Sequence, residues 1–340
     1  MKKGSALNFA VCFSVVAFVL TSLPLQAQEK TVKLRYSNFF PPVHPISKLS
    51  DEWGKEIEKR TSGRVKITYF PGATLTPPMQ TYDSTIKGIA DIGQSVLAYA
   101  PGRLPLSEVL NQPLGVSSGI QATKLANAYY KKFKPKEFDD VKVMYLHGGA
   151  PCFFHTKNTI SSIDGLKNLR IKCNAENAGI VTALGAAPVT IPVTETYDGL
   201  QKGLLEGLLI APEALKFFRF AEVVKTTLEN YASSFMVSFY VIMNKDKWNS
   251  IAREDQQAIE KINGEWADKQ GKLWVDLNKE GKEYAVQKGV KFVRASKEEE
   301  AKTAEKLRPV LGEYVKDKKA KGLPAEEALT FCLEYVKANP

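Results

Sequence analysis

Two rhythms of apolar and polar positions divide the chain. Over 31–38, Val32, Leu34 and Tyr36 face away from Lys33 and Arg35, a period of two that predicts a strand. The rhythm then lengthens. Ile46, Leu49, Trp53 and Ile57 recur at helical spacing behind Pro45, which suits the first position of a helix. Val65, Ile67 and Tyr69 restore the strand period; a helix over 78–87 and a turn at Asp91 lead into a short strand. A surface helix is predicted over 120–133 and a strand over 141–146.

In mid-chain, Leu169, Ile171 and Cys173 alternate with Arg170 and Lys172, so the two cations share one strand face. A helix-sized segment (176–184), a strand (189–192), a helix (194–202) closed by Gly203 and a buried strand (206–212) follow. That β-α-β-α-β order is the spacing of a parallel sheet with short crossovers. A glycine pair, Gly148 and Gly149, marks the expected crossing into a second domain, and 231–243 reads as a long strand passing back. The segment 255–287 is helical, weakened locally by Gly264, Gly271 and Gly281. Trp248, Trp266 and Trp274 are expected to pack helices. Two amphipathic helices, 297–316 and 325–337, close the chain, with Pro309 expected to kink or interrupt the first.

The start has a different character. Lys2 and Lys3 precede an apolar run over 10–20, and Leu25-Gln26-Ala27 ends in a small residue, the pattern of a cleavable secretory signal over 1–27. The run is short for a membrane span, and Cys12 lies inside it, not at its end where a lipid would attach. The formal charge is +10, including those two lysines. The excess is spread over helices with interleaved acids, which argues against a nucleic-acid groove. Beyond the leader, Cys152, Cys173 and Cys332 are odd in number, so at least one is free. Cys152 and Cys173 could form a disulfide, or all could be buried thiols.

Leu-Lys-Asn-Leu-Arg-Ile-Lys (166–172), Leu-Gly-Ala-Ala-Pro-Val-Thr-Ile-Pro (184–192), Glu195-Thr-Tyr197, Gly199-Leu-Gln-Lys-Gly203 and Glu206-Gly207 stand in order, and Phe70-Pro-Gly-Ala-Thr-Leu75 precedes them. Together they resemble the DctP family, the solute receptors of tripartite ATP-independent periplasmic (TRAP) transporters. The resemblance implies an α/β, two-lobed periplasmic binding protein fold, type II-like, its lobes joined by crossing strands and a long hinge-spanning helix. Residues 28–148 with about 238–275 would form one lobe, and 149–237 with about 276–340 the other. It also implies a periplasmic protein, monomeric as is common in the family, that delivers a small-molecule carboxylate to TRAP membrane permease subunits.

In the family an arginine on the short central strand holds the ligand carboxylate through a bidentate pair. Its position falls on Lys172, while Arg170 stands where lysine is usual. Lys172 is thus the first candidate for carboxylate binding and Arg170 the second. The resemblance adds Asn38, Phe39 and Phe40 at one lip of the cleft, Val96 and Tyr99 at the end of a strand, Cys152, Val193, Ile210, Phe217, and Glu195 close to the cleft. Such a lining is largely apolar with one cationic end, which suits a monocarboxylate with an apolar or aromatic body.

An enzyme would need a nucleophile with a base, or a metal cluster. Cys152 and His155 are the close Cys/His pair, but three positions apart on a strand they face opposite ways. His44, His147 and His155 lack metal-ligand spacing, and no cofactor motif appears. An exported receptor for a membrane sensor or an ATP-driven importer is the remaining alternative, which residues alone do not separate from a TRAP receptor.

Overall fold

The computed structural model describes Met1 and residues 31–340. The expected leader, Cys12 included, lies outside the described residues. Eleven strands and ten α-helices follow among the described residues, with short 3-10 turns between them. The first stretch runs β1 (Val32–Asn38), α1 (Pro45–Arg60), β2 (Val65–Phe70), α2 (Thr81–Ile86), β3 (Ile92–Val96), α3 (Gly119–Phe133) and β4 (Val141–Pro151). A second holds β5 (Phe153–Thr156), β6 (Arg170–Cys173), α4 (Ala178–Ala183), β7 (Ala187–Thr190), α5 (Val193–Gln201), β8 (Gly207–Ile210), α6 (Glu213–Phe217) and β9 (Thr226–Glu229). The chain then returns through β10 (Met236–Asn244), α7 (Lys245–Asn249) and α8 (Arg253–Gln287). It finishes with β11 (Lys291–Arg294), α9 (Lys297–Ala320) and α10 (Ala325–Ala338).

Two sheets organise these elements, in the orders β2-β1-β3-β10-β4 and β11-β9-β5-β8-β6-β7. The expected parallel unit is present: β6 pairs in parallel with both β7 and β8. The predicted stripe of α1 is buried, with Ile46, Trp53 and Ile57 wholly inside, so the helix forms by covering the first sheet. β4 and β10 pair antiparallel from Val141–Asn244 at one end to Pro151–Met236 at the other. Both therefore end where the chain passes from one sheet to the next. This is a two-lobed α/β fold, with α8 packing on α1 and α3 of the first lobe and on α6 of the second.

Several expectations change. β4 does not stop at residue 146 but runs through the glycine pair, because α3 lies directly over it. A Cβ on Gly148 would sit 2.5 Å from that of Ala122. The glycines of α8 do not break that helix either. Gly281 lets it approach so closely that a Cβ there would meet Pro212 O at 2.3 Å. Pro309 lies inside an unbroken α9. α10 packs on α3, where Gln121 Nε2 donates to Val336 O at 3.1 Å.

Candidate functional site

A cavity opens between the two sheets. Strand ends and the loops after them supply its walls, as usual where neighbouring strands leave a crevice. From the first lobe, Phe39 and Phe40 follow β1, and Val96 and Tyr99 close β3. The second lobe contributes Lys172 from β6, Val193 from α5 and Ile210 from β8. These sequence candidates come together. Phe39 stacks on Phe40 at 4.4 Å between ring centroids, and Tyr99 meets Phe39 edge-on at 6.0 Å. The Val193 backbone N–H donates to Tyr99 Oη at 3.1 Å, a direct bond between the two sides of the cleft.

Other candidates lie elsewhere, each for a visible reason. Arg170 is exposed and turns to the surface, where it donates to Leu204 O (2.9 Å) and Gly203 O (3.0 Å) and pairs with Glu206. The short β6 starts at Arg170 and runs inward, so a single residue, Ile171, separates a solvated cation from a buried one. Asn38 is buried behind the wall, where it donates to Gln94 Oε1 at 2.8 Å and accepts the Phe40 N–H. Cys152 is buried beside Ala150, and Cys173 is likewise a free thiol, so no disulfide joins them. Glu195 is exposed in the first turn of α5, where the helix dipole accounts for it. Phe217 packs against His44 at a tilt, 4.9 Å between ring centroids, and Phe218 lines the cavity in its place.

Sequence reasoning missed Phe239, Trp274, Asn174 and Glu213, all in the lining. Trp274 stands on α8, where its helical spacing reads as packing. Its ring stacks on Phe239 at 5.2 Å, and Phe239 stacks on His147 at 4.7 Å. The Trp274 indole N–H donates to His147 Nδ1 at 3.0 Å, and the other ring nitrogen lies 3.1 Å from the Gln94 amide. Burial lowers the His147 pKa to about 3, so this support is neutral. A signal was available for Glu213: an acid directly after a buried apolar strand and a proline is a costly residue to bury.

The electrostatics concentrate at one end. Lys172 is only 3% exposed, and its Nζ donates to Asn174 Oδ1 at 3.3 Å. Burial pushes its pKa down to about 8, because a charged ammonium loses its hydration there. Glu213 is also buried, and burial pushes its pKa up to about 8. His155 cannot serve Cys152 as a base: its ring nitrogens meet Thr227 Oγ1 at 2.8 Å and Ile210 O at 3.0 Å. No group of three His, Cys, Asp or Glu side chains that could hold a metal occurs among the described residues. What this arrangement can do is hold an anion at one end and a flat apolar body along its aromatic wall.

Residues 36–318 match the family described as DctP, bacterial extracellular solute-binding protein, family 7. A TRAP periplasmic solute-binding protein from Desulfovibrio salexigens is 31% identical. That comparison covers 91% of this chain and 96% of the other, with a TM-score of 0.81. The outer membrane transporter protein TsaT of Comamonas testosteroni is 26% identical over 332 residues, 95% of this chain and 97% of its own. In fold, the chain is also similar to a marine metagenome TRAP solute-binding protein specific for aromatic acid ligands, solved with metahydroxyphenylacetate. The TM-score there is 0.85 at 23% identity, over 90% of this chain and 99% of the other. The chain belongs to the DctP family of bacterial extracellular solute-binding proteins, whose members are substrate-binding receptors of TRAP transporters and not enzymes.

Proposed function

We propose that this protein is an exported receptor for an organic acid with one carboxylate and an apolar, aromatic body, which it passes to TRAP permease subunits. The observation that carries this reading is Lys172, a buried cation whose hydrogen bond goes to a neutral amide, at the end of a cavity walled by Phe39, Phe40, Tyr99, Phe239 and Trp274. A buried ammonium costs free energy until an anion joins it, so a ligand carboxylate relieves a cost the empty site carries. As a point charge, the lysine accepts looser carboxylate geometry than the family's arginine fork.

The walls select the body. A phenyl-sized group that buries about 150 Å² gains roughly 4 kcal/mol at ~25 cal/mol per Å². A sugar acid would bring hydroxyls to aromatic faces that cannot pair them. The fold relative bound to metahydroxyphenylacetate supports the same class. Uptake then proceeds by closure: the lobes rotate about the β4–β5 and β9–β10 crossings and α8, and a ligand touching both favours the closed state. The basic, apolar leader read from the sequence supports export.

A thermal-shift screen on refolded, ligand-free protein tests this. Benzoate and mandelate are expected to raise Tm with concentration, as mass action requires, and succinate and sialate to leave it in place. Stabilisation by sialate or succinate alone would overturn the reading.

A further inference from the structure

Carboxylate capture by Lys172 leaves one polar group of the cavity without a task. Glu213 opens α6 directly behind Pro212, is 5% exposed, and its Oε2 is buried with no hydrogen-bond partner. Buried polar atoms are almost always paired, and an unpaired one weakens the fold unless something else supplies the contact. Glu213 is not the counter-ion of Lys172, whose hydrogen bond goes to Asn174. Nor can its backbone withdraw. α8 passes so close that a Cβ on Gly281 would lie 2.5 Å from Glu213 Cα. Glu213 is therefore held by packing among the residues that line the cavity, with Oε2 buried and without a hydrogen-bond partner.

Burial favours the neutral form of this carboxyl, which has one O–H to donate and a carbonyl oxygen to accept. Its complement is a group that also donates once and accepts, which is a hydroxyl. An unsubstituted ring would leave Oε2 as unpaired as it is in the empty site. We propose that Glu213 selects a hydroxyl on the body of the ligand, so that hydroxy-substituted aryl monocarboxylates are preferred over their unsubstituted parents. This rests on the reading above, in which Lys172 holds the carboxylate and the aromatic wall holds the ring.

The test is calorimetric titration of refolded wild type, Glu213→Leu and Glu213→Gln with benzoate and its 2-, 3- and 4-hydroxy isomers. At least one hydroxy isomer is expected to bind wild type about tenfold or more tighter than benzoate. In Glu213→Leu that ratio falls to about one. Glu213→Gln, which keeps a donor and an acceptor, retains part of the preference and guards against a leucine variant that does not fold. Wild type that binds benzoate and all three isomers equally, or variants that keep the full preference, would overturn the proposal alone. Wild type that binds none of the four acids would overturn it together with the function on which it rests.

Discussion

On one side, behind the cavity wall, the Trp274 indole N–H donates to His147 Nδ1, with Gln94 beside the other ring nitrogen. On the other, Lys172 has one hydrogen bond of 3.3 Å and Glu213 leaves a carboxyl oxygen with none. The difference teaches which buried polar groups belong to the fold and which await a ligand. Satisfied groups fix the shape of the wall, whereas unsatisfied ones raise the free energy of the empty site and can be repaid by binding. The same contrast appears within β6, where Arg170 is exposed and paired and Lys172 is buried with a neutral partner.

Breaking the satisfied end is expected to have the largest effect. Trp274→Ala removes a fully buried ring and the donor to His147, and should destabilise the protein by about 3–5 kcal/mol in denaturant unfolding. Next comes the unsatisfied end. Lys172→Met should weaken benzoate binding by roughly 2–5 kcal/mol in calorimetry and leave the ligand-free Tm unchanged or higher, since a buried charge is gone. Loss of Tm without loss of affinity would reverse the comparison. Arg170→Ala should be smallest, within about 0.5 kcal/mol of wild type in binding, because a surface cation two residues away does not reach the cavity.

Much of this architecture was legible in the pattern of side chains. The period-two alternation around Leu34 and the helical stripe of α1 each reflect one buried face, which local sequence records directly, whereas in β6 Lys172 is buried along with Ile171 and Cys173. The aromatic pair Phe39-Phe40 was visible as apolar residues in a loop, where packing alone explains them poorly. Trp274 was not legible, since a core tryptophan and a cavity-wall tryptophan share the same helical spacing. Which of Phe217 and Phe218 lines the cavity depends on the phase of a five-residue helix, beyond what so short a pattern fixes. Glycines misled in a consistent way. Gly148 was read as part of a domain crossing and Gly281 as a weak point, yet each permits close contact between elements distant in sequence. The separation of Arg170 from Lys172 likewise follows from where β6 emerges at the surface, a tertiary fact.

The pH dependence of binding tests the central claim most directly, because it follows the charge on the group assigned to the carboxylate. Lys172, with a pKa lowered to about 8 in the ligand-free protein, loses its proton as pH rises, and a neutral amine no longer attracts an anion. Glu213, raised to about 8, becomes negative over the same range and works in the same direction. Calorimetric affinity for benzoate should hold near pH 6–7 and fall by about tenfold or more per pH unit above pH ~8, in wild type and in Arg170→Ala alike. An affinity that stays flat to pH 9.5, or a fall abolished by Arg170→Ala, would contradict it.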